Sequence, residues 1–419
     1  MELRSFREES EAFADRRRFS EDFILPDYDK FCNKNISSVI GDAFNVSPLV
    51  SAKFPKEYLD DLNGISKVIL IVVDGLGYNR LLSHMEKFEG TFFSLAEKGV
   101  LKPITSTFPA TTSTSLTSIF TALPPSDHGI IGYLMYLKNY GLVLDTLNMK
   151  PVYGWASDAK FTDELTPRVK TWRSSLSECG IKVLTATKGI QMDSGLSKVL
   201  HTGQEMIPYL LSSDMITSCR KALEQPGPTL TVMYYAGLDA LEHLYGPSSE
   251  EATLEIRSLE YLIRTAFLDK LPKTVKEETL FLLTADHGQS ETSEVYFLRD
   301  IPEVRDRLII PPVGDSRAMF LFPKNYEDER LREAFEKNIE GFRLVSSKEL
   351  IKKGAFGPTE NQSKLEEKVG SMIALGTGDR AILYPYSEKD REKSKRGSHG
   401  GMSVNEMIVP LLSLNLSKL

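Results

Sequence analysis

Short apolar runs bounded by polar residues and glycine recur along the chain. Lys67 to Val73 (KVILIVV), Thr229 to Tyr235 (TLTVMYY) and Thr279 to Thr284 (TLFLLT) are almost uninterrupted. Such runs suit strands buried on both faces of a parallel sheet. Ile181 to Ala186 is another, and Met407 to Leu414 predicts a closing strand or turn. Between them the apolar spacing becomes helical. It predicts helices over about Tyr78 to Glu86, Phe92 to Lys98, Thr111 to Ala122, Pro208 to Leu223 and Ser249 to Lys270. In the third of these, Leu116, Ile119 and Phe120 share one face, and Pro124 and Pro125 stop it. Asp127, His128 and Gly129 then fall in the loop beyond. Strands alternating with helices predict an α/β fold, doubly wound around a mostly parallel sheet.

Two stretches depart from this pattern. Residues 1 to about 65 read as a polar helical start and a loop-rich lead-in, with no chemistry of their own. Residues 291 to 390 read as a compact α+β alternation. It comprises strands at Ala318 to Phe322, Phe342 to Ser346 and Arg380 to Tyr384, a helix at Glu327 to Ile339 and two short helical segments. This predicts an inserted α+β subdomain, with 1–290 and 391–419 forming the catalytic core. Ser387 to Lys395 is a charge run, expected as a solvated loop.

Composition narrows the function classes. The 419 residues are 41% hydrophobic and 26% charged, the balance of a globular enzyme. A formal net charge of −7 argues against a protein that coats nucleic-acid backbone. The first twenty residues are charged throughout, and no run reaches the roughly eighteen apolar residues of a membrane helix. Cys32, Cys179 and Cys219 are widely spaced and show no metal-finger pattern. They suit reduced thiols in a cytoplasmic protein.

Chemistry gathers at the strand ends. Asp74, Asp239 and Asp286 each follow a buried run, at the edge where open α/β sheets bind ligands. His243 follows Asp239 by four, so both share one helix face, and His287 adjoins Asp286. His399 stands in Ser398-His399-Gly400-Gly401. Thr111 or Thr112 opens its helix, where free N–H groups attract an anion. Together these residues supply two sets of N/O ligands, the inventory for two adjacent zinc-like ions. A threonine oxygen bound to such an ion becomes a competent nucleophile.

The motifs VVDGLG, TFPATTSTSLTSIFTALPPSDHGI, GLDALEH, TADHG and SHGG resemble the alkaline phosphatase superfamily, and within it the type I phosphodiesterase / nucleotide pyrophosphatase family. The resemblance runs from about Ile69 to the C-terminus and implies an alkaline phosphatase-like core. It implies one ion on Asp239, His243 and His399, and a second on Asp74, Thr112, Asp286 and His287. Either zinc or manganese suits these donors. The family pairs its nucleophile with a Thr-Gly nine residues later. Thr121-Ala122 occupies that place here, which ranks Thr112 first, Thr111 second and Thr107, from the T-F-P register, third. The family's phosphate-binding asparagine beyond His-Gly-Ile has no counterpart, since Gly132 and Tyr133 stand there. His128 matches a family histidine outside the ligand set, and His84 and His201 read as structural.

The expected reaction is hydrolysis of a small phosphate ester, such as a nucleotide, through a phosphothreonine intermediate. A phosphomonoesterase or phosphonate hydrolase on the same frame is the nearest alternative. A catalytically silent metal-binding module is the alternative from another class. The inserted region is expected to cover the site and shape the leaving-group pocket. Arg317 within it is a candidate substrate contact, or else a structural ion pair with Asp315 or another acid.

Overall fold

The computed structural model describes residues 2–46, 53–154, 171–189, 195–201, 204–360, 362–387, 390 and 395–419. Its buried apolar runs align in one seven-stranded sheet. The order is Val100–Thr105, Ile408–Asn415, Thr279–Thr284, Lys67–Val73, Thr229–Tyr235, Lys182–Lys188 and Glu205–Tyr209. Only Ile408–Asn415 runs antiparallel to its neighbours. The central strands Lys67–Val73 and Thr279–Thr284 are buried along their whole length, as their unbroken apolar sequences require. Even Lys67 is covered, and its ammonium donates to the carbonyls of Gln225 and Gly227 at 2.9 and 3.0 Å.

Register explains why the chemistry converges. Lys67 pairs with both Thr229 and Thr279, so three parallel strands start level. They therefore end level, with Val73 opposite Tyr235 and Val72 opposite Thr284. Asp74, the Gly237–Tyr245 helix that carries Asp239, and Asp286 all leave the sheet at its carboxyl edge.

A second seven-stranded sheet, antiparallel throughout, has the order Phe342–Ser346, Met372–Gly376, Ala318–Leu321, Val313–Asp315, Leu134–Leu137, Leu142–Asp145 and Lys150–Tyr153. Residues 291–390 supply four of these strands, and the segment after His128 supplies the other three. The sequence pattern did not mark those three, because four-residue antiparallel strands with one wet face carry little signal. Side chains on one side of this sheet, among them Val313, Phe320 and Val345, belong to the same apolar core as the parallel sheet. Those on the other, including Met319, Leu344 and Met372, join a smaller core with Leu331 and Phe335.

Three element boundaries differ from expectation. Pro208 and Tyr209 belong to the edge strand Glu205–Tyr209, and the helix is Ser212–Leu223. Asp214 begins that helix by accepting from the N–H groups of Leu210 and Leu211. The long helix is Glu250–Leu262, capped by Ser249, and it loosens into a π-turn over Ile263–Leu268. His128 ends a short helix, Pro125–His128. Residues 388–389 and 391–394 of the charge run lie outside the described residues. No helix among the described residues is long and apolar enough to cross a membrane.

Candidate active site

Six of the sequence-predicted residues form one continuous cluster at the carboxyl edge. His287 Nε2 lies 3.3 Å from Asp74 and 3.6 Å from Asp286. Asp239 lies 3.4 Å from His243 Nε2 and 3.7 Å from His399 Nε2. The rings of His287 and His399 stack at 3.8 Å and join the two halves.

The ring nitrogens have their roles fixed by backbone. The Nδ1 atoms of His287, His243 and His399 face the carbonyls of Gly288 at 3.1 Å, Gly397 at 2.7 Å and Ala110 at 3.1 Å. A carbonyl only accepts, so Nδ1 carries the proton and Nε2 keeps its lone pair in His287 and His399; in His243 the Gln289 amide nitrogen also stands 3.0 Å from Nδ1, and the shorter Gly397 contact favours the same tautomer. All three lone pairs turn toward the carboxylates. Burial holds His243 down near 4 and His399 well below its ordinary value, which keeps both imidazoles neutral.

The carboxylates are under the opposite pressure. Burial first, then Asp286 and Asp239, push the Asp74 carboxyl well above its ordinary range. Burial and Asp239 lift Asp286 to about 7. Asp74 Oδ1 and Asp286 Oδ2 are buried with no hydrogen-bond partner among the described residues. Close acidic groups aimed at neutral imidazole lone pairs suit divalent cations, which would satisfy both orphan oxygens. Asp74, Asp286 and His287 can each offer an atom within 4.8 Å of the others, and so can Asp239, His287 and His399. His287 thus reaches both groups, while His243 adjoins the second through Asp239. Both groups consist of the expected N/O donor types, but His287 stands in the second where His243 was expected.

The three threonines have different surroundings. Thr112 opens the Thr112–Thr121 helix, with Thr111 as the residue before it. Its hydroxyl lies 3.1 Å from His287 Nε2 and donates to that lone pair. Thr111 lines the same cavity as Asp315. Thr107 is fully buried and donates at 3.4 Å to the Pro109 carbonyl. Only Thr112 bonds a member of the acidic cluster.

Arg317 does not reach the site. It is 1% exposed, and its guanidinium pairs with Glu406 at 3.0 Å. It also donates to the carbonyls of Gly376, Gly378 and Arg380. The substrate-contact expectation is therefore corrected to the structural ion pair, with Glu406 rather than Asp315 as its acid. His128 bonds Ser118 at 2.8 Å, His84 bonds Glu260 at 2.8 Å, and His201 meets Arg173 at 3.1 Å, all structural partners.

Sequence reasoning missed the residues that hold the cluster. Tyr234 donates a short hydrogen bond to Asp74 Oδ2. Gln289 donates to Asp239 at 3.2 Å. Asn33 donates to the carbonyls of Ala285 and Asp286 at 3.2 and 3.1 Å. A tyrosine at the end of a buried run was a usable signal for Tyr234. Nothing local distinguishes Asn33, whose partners lie more than two hundred residues away.

A cavity of about 350 Å³ opens onto the cluster. Thr112, Asp239, His243 and His399 line one part, and Tyr133, Leu134, Met319, Tyr384 and Tyr386 from the second-sheet side line another.

The family model described as type I phosphodiesterase / nucleotide pyrophosphatase matches residues 68–402. A curated relative, an uncharacterized pyrophosphatase/phosphodiesterase of Schizosaccharomyces pombe, is 22% identical over 240 residues, covering 55% of this chain. The match spans 46% of that relative, less than half its length. Murine ectonucleotide pyrophosphatase / phosphodiesterase 5 has a similar fold, with a TM-score of 0.60 at 17% identity over 82% of this chain and 87% of that one. Its inactive threonine-to-alanine variant in complex with AMP gives a TM-score of 0.59 at 17% identity over 83% and 87% of the two chains. Phosphonoacetate hydrolase from Sinorhizobium meliloti, in complex with phosphonoformate, gives 0.58 at 16% identity over 82% and 89%.

Proposed function

Because the chain belongs to the type I phosphodiesterase / nucleotide pyrophosphatase family, we propose that it hydrolyses small phosphate esters, with diesters or nucleotide pyrophosphates as substrates, through a phosphothreonine on Thr112. The observation that carries this reading is the Thr112 hydroxyl at the first turn of a helix, 3.1 Å from His287 Nε2, the atom that faces Asp74 and Asp286. Two divalent ions, zinc or manganese, held by Asp74, Asp286, His287, Asp239, His243 and His399, would supply positive charge for the developing oxyanions and acidify the threonine. First-turn N–H groups lack intrahelical acceptors and favour the transferring phosphoryl oxygens. Tyr234 fixes Asp74, Gln289 fixes Asp239, and the backbone carbonyls fix each imidazole, so the donors are oriented before substrate arrives. Thr112 attacks phosphorus and the first ester oxygen leaves. Water then cleaves the phosphothreonine, and two inversions give overall retention.

The second-sheet residues of the cavity support the reading of 291–390 as the part that shapes the leaving-group pocket. The inactive threonine variant of the murine fold neighbour is consistent with a threonine nucleophile. Free Cys32, Cys179 and Cys219 support a reducing, cytoplasmic setting. A phosphonate hydrolase is the second reading, favoured by the phosphonoacetate hydrolase fold neighbour.

The test is to reconstitute the protein with zinc or manganese, and to compare phosphonoacetate with 4-nitrophenyl monoesters and diesters. Acid quenching with a phosphorus-labelled diester should trap label on Thr112. Turnover without trapped label, unaffected by Thr112→Ala, would leave water as the only attacking group and sink the covalent route.

A further inference from the structure

Asp315 stands in the wall of the cavity with Thr111 and Thr112. It ends the Val313–Asp315 strand, and its position is over-determined. Tyr133 N–H, a neutral donor, donates to its Oδ2 at 3.3 Å, and Thr111 lines the cavity beside it. Two residues further on, Arg317 is pinned to Glu406 and to three backbone carbonyls. The backbone around Asp315 is shaped to admit it. A Cβ on Gly400 would stand 2.3 Å from the Asp315 Cβ, and one on Gly132 would stand 3.1 Å from its Oδ2. Both glycines have positive φ, at 112° and 100°. A carboxylate thus lines the cavity beside the nucleophile helix. The lining's lysine, Lys395, approaches His243 Nε2, at 3.5 Å.

We propose that Asp315 is a specificity residue that repels the second negative charge of a phosphomonoester and so confines turnover to monoanionic diesters. The inference rests on the reading of this site as a phosphoester hydrolase. A diester carries one charge on its non-bridging oxygens, and the second ester oxygen is neutral. A monoester at pH 8 carries two, so one further charged oxygen has to be accommodated in the cavity that Asp315, Thr111 and Thr112 line. A like charge brought close to a buried carboxylate is costly, because little solvent screens it. Burial lifts the Asp315 carboxyl to about 6, which leaves it ionised at pH 8. A residue that merely held Tyr133 would, on removal, slow both ester classes alike. A charge filter acts on their ratio.

The experiment uses metal-loaded protein at pH 8 and two substrates with the same leaving group, 4-nitrophenyl phosphate and its methyl ester. Asp315→Asn should raise kcat/KM for the monoester relative to the diester about tenfold or more, with melting temperature nearly unchanged. Asp315→Ser, which also removes the charge, should move the ratio the same way. The unmodified protein should bind the monomethyl ester of phenylphosphonate more tightly than phenylphosphonate itself, and Asp315→Asn should narrow or reverse that order. An unchanged rate ratio in both variants overturns the proposal. So does preferential binding of the dianion by the unmodified protein, even if neither variant folds. A wild-type protein that binds metal but turns over neither ester removes the hydrolase reading itself, a result distinct from an unshifted ratio.

Discussion

The 3.1 Å contact between Thr112 and His287 makes Thr112 the residue whose loss should be felt in chemistry rather than folding. Thr112→Ala should lower kcat on the order of a thousandfold or more, since a nucleophile contributes several kcal/mol to the transition state. The helix should survive, because its cap position is Thr111. Thr107→Ala should be mild in turnover, since that hydroxyl reaches only the Pro109 carbonyl. Rates for the two variants, with thermal melts beside them, check both statements. The acidic cluster predicts a second response. In the metal-free protein Asp286 sits at about 7, above the ordinary carboxyl value near 4. The folded state then keeps a proton that the unfolded state releases. Stability from this group falls as pH rises from about 4 to 7, and the penalty is complete above 7. Metal-free wild type should therefore lose stability relative to metal-free Asp286→Asn between pH 5.5 and 8, because the depressed His243 and His399 impose the opposite trend on both proteins alike. Zinc or manganese should cancel that loss, adding about 2.7 kcal/mol at a hundredfold excess over its Kd. Melts at both pH values, with and without chelator, decide it. An unchanged melting temperature on metal addition would count against the ligand set.

Among the elements, the lead-in segment has a role its sequence concealed. Asn33, fully buried, bonds the Ser115 hydroxyl at 2.9 Å besides the two carbonyls before His287. Ser106 and Ser115 also donate to the Asp286 carbonyl, Ser115 at 2.7 Å. The lead-in, the strand end and the nucleophile helix are thereby tied at one point. Asn33→Ala should cost about 1–2 kcal/mol of stability through its unmade hydrogen bonds. It should also weaken metal binding, because Asp286 and His287 follow directly from the carbonyls it holds. Denaturant titration and metal titration would separate the two effects. A stability loss with unaltered metal affinity would make Asn33 a purely structural tie.

At the scale of the whole molecule, the cavity lies between chemistry supplied by the parallel sheet and walls supplied by the antiparallel one. Excision of 291–390 would remove Val313, Phe320 and Val345, which belong to the common core, so point changes are the better probe. Tyr384→Ala should shift relative rates between aromatic and aliphatic leaving groups by about tenfold, the scale of one apolar contact. Metal content should stay the same. Equal losses on both leaving groups would place Tyr384 outside the leaving-group pocket.

The strongest parts of this picture were legible in the chain itself. Unbroken apolar runs marked the central strands, because burial on both faces leaves no room for alternation. Asp74, Asp239 and Asp286 announced the carboxyl edge because they directly follow those runs. Spacing placed Asp239 and His243 on one helix face, and the late Ser-His-Gly-Gly supplied His399. What the chain could not show by itself depends on contacts between distant segments. The level register of three parallel strands brings the acids together, and it emerges only when the sheet forms. The strands between Leu134 and Tyr153 are short and partly wet, so their pairing is visible only beside Val313–Asp315. Arg317 looked available until folding buried it against Glu406. Asn33 and Asp315 have ordinary sequence surroundings, and their roles come from what tertiary packing sets against them. A residue type and its local period follow from covalent order, but a hydrogen-bond partner two hundred residues away is decided only by the folded chain.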